Sequence, residues 1–124
     1  MIRGIGIDVV HTERLRAWVD RPGLLGRYLH PGEVETIKRR GEGAVLSIAT
    51  RFAAKEAFAK ALGVGLRGFE LREVEVRNDS LGKPEILLHG KAAKALEKSG
   101  GSRVFVSLTH EEDYAVAMVV IEGN

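Results

Sequence analysis

The chain has no cysteine, which excludes a disulfide framework and thiolate chemistry. It has no apolar run long enough to span a membrane. Its only apolar run near the N-terminus, Met-Ile-Arg-Gly-Ile-Gly-Ile-Asp, contains Asp8 and so does not read as a signal peptide. An excess of either charge is also missing. The net charge is +2 at pH 7, far from that of a general nucleic-acid binder, and the positive charge is better read locally. Repeats and linkers are absent too. What these absences leave is a cytoplasmic protein with no membrane and no nucleic-acid partner. Its 124 residues, 44% hydrophobic and 29% charged, suit a single domain over residues 1–124 with one core.

Residues 2 to 10 read as a strand. Ile5, Ile7 and Val9 fall on one face, and Gly4, Gly6 and Asp8 on the other. Residues 12 to 21 read as a helix ended by Arg21-Pro22-Gly23, with Leu15 and Val19 inward. Arg14, Trp18 and Arg21 share an adjacent face of that helix. Such a face is either solvated basic surface or a dock for an acidic partner, since Arg and Trp are favoured interface anchors. A second helix is expected from Pro31 to Arg40, and Gly41-Glu42-Gly43 breaks the chain. The long central helix runs from Ala44 to Leu62.

Gly63-Val64-Gly65-Leu66-Arg67-Gly68 spells G-x-G-x-x-G, but a dinucleotide fingerprint must follow a strand and open a helix. Here it follows a helix, whose C-terminus carries partial negative charge. The loop reads instead as a tight turn. Residues 69 to 77 are expected as a strand with a bulge near Arg72-Glu73. Asn78 to Lys83 is a hairpin turn, residues 84 to 88 a return strand, and residues 90 to 99 a helix with Ala92, Ala93 and Leu96 inward. Residues 103–109 and 114–121 are Val- and Ile-rich strands joined by His110-Glu111-Glu112-Asp113. This order predicts an α+β fold: a largely antiparallel sheet packed with a long central helix and shorter helices.

The stretch with the most chemistry is Arg51-Phe52-Ala53-Ala54-Lys55-Glu56-Ala57-Phe58-Ala59-Lys60-Ala61-Leu62-Gly63. Alanine favours the helix, and Gly63 is the residue type that closes one. Glu56 and Lys60, four apart, are neighbours on one face, while Lys55 points well away. Glu before Lys at this spacing is also a common surface pair, worth roughly a few tenths of a kcal/mol. The small, apolar surroundings argue for a carboxylate that is partly buried and needs a cation, which a metal ion would supply. Asp8, disfavoured in a strand and set beside two glycines, marks a second candidate position.

Phe52-Ala53-Ala54-Lys55-Glu56-Ala57-Phe58-Ala59-Lys60-Ala61-Leu62-Gly63 resembles the central motif of the 4′-phosphopantetheinyl transferases, most of all the short bacterial type, holo-[acyl-carrier-protein] synthase. Gly4 to Val10, Gly82-Lys83-Pro84 and Ser107-Leu108-Thr109-His110 match in the same order. The resemblance implies transfer of the 4′-phosphopantetheine group from coenzyme A to a serine of apo acyl carrier protein, releasing adenosine 3′,5′-bisphosphate. It implies Asp8, Glu56 and Lys60 as the catalytic set, with Asp8 and Glu56 holding Mg²⁺. The proton acceptor is either Glu56 or a metal-bound water. Arg51, Gly63, Lys83, Pro84 and His110 are implied at coenzyme A, and Arg14, Trp18 and Arg21 at the acidic carrier protein. Glu111 departs from the threonine often found in relatives and places extra negative charge there. The resemblance also implies a homotrimer with its sites between subunits. The alternative, a non-catalytic trimeric module that binds acidic carrier proteins, predicts loss of Asp8, Glu56 or Lys60, and all three are present.

Overall fold

In the computed structural model, which describes residues 1–65 and 68–124, nine regular elements and three 3₁₀ stretches follow one another. Strand β1 spans Ile2–His11, and a 3₁₀ segment spans Thr12–Asp20. Helices α1, Pro22–Tyr28, and α2, Pro31–Lys38, come next, followed by α3, Ala44–Leu62. After the loop come β2, Val74–Asn78, β3, Pro84–Leu88, and α4, Gly90–Lys98. The chain closes with β4, Gly101–Glu111, and β5, Tyr114–Gly123. No helix of the described residues is long and apolar enough to cross a membrane. The fold is α+β, as the element order predicts.

The strands form two antiparallel sheets rather than one: a three-stranded sheet in the order β1-β5-β4, and the β2-β3 hairpin. In the larger sheet β5 is central. Its Ala115, Ala117, Val119 and Ile121 are all buried, at every second position, as the two-residue period of a strand requires. They face α3, whose Ala49, Ala53, Ala54, Ala57 and Phe58 are fully enclosed. Alanine on both sides lets the helix lie close to the sheet. Gly63, with φ 79°, closes α3 in the left-handed conformation that glycine accepts without strain. The loop reading of Gly63 to Gly68 includes Leu66 and Arg67, which lie outside the described residues.

The other face of this sheet runs against the usual burial rule. Ile5, Ile7 and Val9 are 67, 61 and 58% exposed, and the glycine face of β1 is the one turned to α3. Tyr114 and Met118 of β5 and Phe105 of β4 are exposed as well. By register Ile5 stands beside Val120, Val120 beside Phe105, and Ile7 beside Met118, so these side chains make one continuous apolar surface.

Local chemistry shifted several element boundaries. The first helical segment stops at Asp20, just before the expected Arg21-Pro22-Gly23 break, but Pro22 also opens a new helix. The proline occupies the first turn of α1, where its missing N–H costs nothing. The expected bulge at Arg72-Glu73 is a 3₁₀ turn, Leu71–Glu73, closed by reciprocal bonds in which Glu70 and Glu73 cap each other. The β4–β5 connection is shorter than expected. Glu111 pairs with Tyr114, leaving Glu112 and Asp113 as the loop, with Glu112 at φ 44°.

Candidate functional site

The site begins with two absent side chains. A Cβ built on Gly4 would stand 2.0 Å from the Ala61 carbonyl oxygen, and one on Gly6 would stand 2.0 Å from that of Ala57. Strand β1 therefore touches α3 main chain to main chain, an approach that only glycine permits. Asp8 is the next residue on the same strand face, so the contact delivers its carboxylate to the helix face that carries Glu56 and Lys60. Lys60 Nζ donates to Asp8 Oδ1 at 3.0 Å and to the Ile7 carbonyl at 3.1 Å.

Glu56 makes no hydrogen bond or ion pair among the described residues. Burial pushes its carboxyl above the ordinary value, and the charge of Asp8 adds to that, while Lys60 pulls the other way. Two neighbouring carboxylates with one ammonium beside them make a region of surplus negative charge. All donors are oxygens supplied by few protein groups, the chemistry a small hard cation such as Mg²⁺ accepts. The residues present fit that ion.

The remaining expected contacts lie around this centre. Gly63 ends the helix one turn after Lys60. It borders a cleft of about 1200 Å³ that is also lined by Val64, Gly65, Lys91, Lys94 and Lys98. The α4 lysines were not singled out from the sequence. Their spacing of three and four was the available signal, since it places all three on one helix face. Lys83 and Pro84 lie at the β2–β3 hairpin, where Asp79 Oδ1 accepts from the Lys83 N–H at 2.9 Å. His110 is exposed near the end of β4, in a cleft of about 540 Å³ lined also by Val9, Thr109 and Tyr114. Among the described residues no hydrogen bond or ion pair joins Lys83, Pro84 or His110 to Asp8, Glu56 or Lys60.

For two expectations the local setting differs from the sequence picture. Arg51 is not offered to a phosphate at the surface of this protomer: it is 4% exposed. Its Nη1 donates to Ser47 Oγ at 2.6 Å, and its Nε lies 3.8 Å from Glu33 Oε2, an ion pair without a hydrogen bond. The physical reason is Glu33, a buried carboxylate that draws cations inward. Nor do Arg14, Trp18 and Arg21 form one face of an α-helix. Arg14 lies in a 3₁₀ segment that ends at Asp20, and Arg21 follows it with non-helical φ -126° and ψ 78°, so helical spacing does not relate the two. Trp18 is half-buried, stacked on Tyr28 at 5.1 Å and edge-on to Phe52 at 5.5 Å. Arg14 and Arg21 are exposed.

Sequence reasoning passed over the most enclosed charge among the described residues. Lys55 is fully buried and donates to Glu33 Oε1 at 2.5 Å, to the Leu71 carbonyl at 3.1 Å and to the Val74 carbonyl. Glu33 also accepts from the N–H groups of His30 and Val76.

Residues 4–119 match the 4′-phosphopantetheinyl transferase superfamily. The chain is 48% identical over 123 residues to the holo-[acyl-carrier-protein] synthase of Treponema denticola, covering 99% of this chain and 100% of that one. The crystal structure of holo-[acyl-carrier-protein] synthase from Neisseria meningitidis superposes with a TM-score of 0.90 at 42% identity, over 98% of this chain and 99% of that one. The Bacillus anthracis synthase in complex with CoA (3′,5′-ADP) does so at 0.82 and 35% identity, over 100 and 99%.

Proposed function

The chain belongs to the 4′-phosphopantetheinyl transferase superfamily, and from that membership we propose how its residues divide the work of a holo-[acyl-carrier-protein] synthase. It transfers the 4′-phosphopantetheine group of coenzyme A to a serine of an apo acyl carrier protein. The serine Oγ forms a bond to the phosphorus nearest the pantetheine, the bond from that phosphorus to the bridging oxygen breaks, and adenosine 3′,5′-bisphosphate leaves. Such a reaction is governed by positioning and by neutralising developing negative charge. The observation that carries the reading is the delivery of Asp8 to Glu56 and Lys60 by the Gly4 and Gly6 contacts.

Asp8 and Glu56 would hold Mg²⁺, which when bound supplies positive charge to the diphosphate oxygens. Lys60 adds a compact cation at the same edge. Glu56 is the proposed acceptor of the serine proton, since Asp8 is already bonded to Lys60. Gly63, Lys83, Pro84 and His110 are proposed along coenzyme A. Arg14 and Arg21 are proposed to meet the acidic carrier protein, with Trp18 supporting them from beneath.

The apolar outer face of the β1-β5-β4 sheet is proposed as the contact of a homotrimer. Monomers rarely expose apolar patches beyond a few hundred Å², and Ile5, Ile7, Val9, Phe105 and Met118 lie together here. Ile7→Lys should convert the trimer to monomers in light scattering, and an unchanged mass would refute the assignment. The reaction itself is tested by incubating the protein with coenzyme A, Mg²⁺ and an apo carrier protein. Mass spectrometry should find the phosphopantetheine group on the carrier. No added mass, with folded protein and fresh substrate, would refute it.

A further inference from the structure

Beside the β2-β3 hairpin, three side chains from three different elements converge. His30 precedes α2, Glu75 lies in β2, and His89 precedes α4. Their donor atoms all lie within 4.8 Å of one another. His89 Nε2 donates to Glu75 Oε1 at 2.8 Å, and His30 Nδ1 lies 3.6 Å from the same oxygen. The two imidazoles are stacked, with centroids 4.4 Å apart and planes 13° from parallel.

Glu75 is 7% exposed, and among the described residues its only hydrogen bond is the one from His89. A buried carboxylate ordinarily has a cation or several donors. The nearby ammonium, Lys55, has three hydrogens and three acceptors already: Glu33, Leu71 and Val74. Gly32 lets the start of α2 close on the carboxylate, because a Cβ there would stand 2.7 Å from Glu75 Oε2. His30 Nδ1 accepts from the Gly32 N–H at 3.1 Å, so that nitrogen carries a lone pair and not a proton.

We propose that His30, Glu75 and His89 form a second metal site, for a borderline transition ion such as Zn²⁺ and not for Mg²⁺. Two imidazoles and one carboxylate suit zinc, whereas Mg²⁺ prefers oxygen alone. Zinc bonds of about 2.0–2.2 Å in a tetrahedron place donors roughly 3.3 Å apart, so the site closes by an ångström or so when the ion enters. His89 Nε2 gives up its proton to become a ligand, and the ring turns out of the stack. The fourth position faces solvent, since His30 and His89 are partly exposed. The bound ion ties the start of α2 and the turn before α4 to the β2-β3 sheet.

The test is calorimetric titration of the chelator-treated full chain with zinc chloride alone, in millimolar Mg²⁺ to occupy the carboxylate pair. One zinc per chain is expected. His89→Ala and His30→Ser should each weaken it about 10- to 100-fold or more, the scale on which even outer groups of a metal site act. Serine keeps a helix-capping oxygen at position 30 while removing the imidazole. Glu56→Gln should leave zinc affinity unchanged. In the unaltered chain, nitrogen NMR of the imidazoles should show His30 and His89 shifting on zinc addition while His11 and His110 stay. No one-to-one binding in the parent, or zinc held equally tightly by both histidine variants, or shifts confined to His11 and His110, overturns the proposal.

Discussion

Lys55 and Glu56 are adjacent on α3 and belong to opposite kinds of charge cluster. Lys55 looks inward to Glu33, where the ammonium meets three acceptors and Glu33 accepts from Lys55, His30 and Val76. Glu56 looks toward Asp8, where like charges face each other and Lys60 bonds Asp8 and the Ile7 carbonyl but not Glu56. The first cluster is closed and satisfied, so it holds α2, α3 and β2 together. The second is open and unsatisfied, so it has something left to offer a cation and a substrate. The difference lies in completed hydrogen bonds, not in residue type.

The largest effect is expected at the closed cluster. Lys55→Met leaves buried Glu33 with only the longer Arg51 pair and should cost about 3–5 kcal/mol in urea unfolding. A loss below about 1 kcal/mol would mean that the buried pair is not what joins these elements. Glu56→Gln should do the reverse. Turnover falls roughly 100-fold or more, on the scale of removing a preorganised electrostatic group, with the melting temperature held or raised. Near-normal turnover at saturating Mg²⁺ would remove Glu56 from the catalytic set.

Gly6→Ala sits between these cases, because it pushes β1 away from Ala57 and moves Asp8 with it. It should cost about 1–3 kcal/mol from overpacking and raise the Mg²⁺ needed for half-maximal activity. An unchanged Mg²⁺ dependence would separate the glycine contact from the site. The smallest effect is on pH dependence without metal. Glu56 holds its proton more tightly folded than unfolded, so folded protein binds more protons, and stability falls as pH rises from the ordinary 4.5 through the raised value. Glu56→Gln should lack that decline, and thermal unfolding of both proteins in chelator across this range compares them. Parallel curves would count against a raised carboxyl.

Much of this was readable from residue order. The Ala-rich run and Gly63 set the limits of α3, and the alternating Val and Ile residues set β4 and β5. Asp8, Glu56 and Lys60 were found because carboxylates and lysine in an apolar setting stand out, and because four ordered blocks resemble one family. What local pattern could not convey was direction. The isoleucines of β1 look like core, yet they face outward, since only the glycine face fits against α3. Lys55 and Arg51 look like surface, yet Glu33, 22 residues before Lys55, draws them in. The 3₁₀ winding of residues 12–20 was hidden as well, because α and 3₁₀ stretches of this length share the same propensities, and it changes which arginines are neighbours.

The Gly4 and Gly6 contacts have a further consequence for how this enzyme can vary. The spacing between strand and helix is set there by two polypeptide backbones pressed together, with no rotamers in between. A ruler made that way cannot be recalibrated by exchanging valine for isoleucine elsewhere in the interior. Libraries that shuffle the residues between α3 and β5 should therefore yield proteins whose melting points scatter widely while their metal requirement stays constant. In such a library the two glycines would be the positions that selection for activity refuses to change, even though neither carries a functional group.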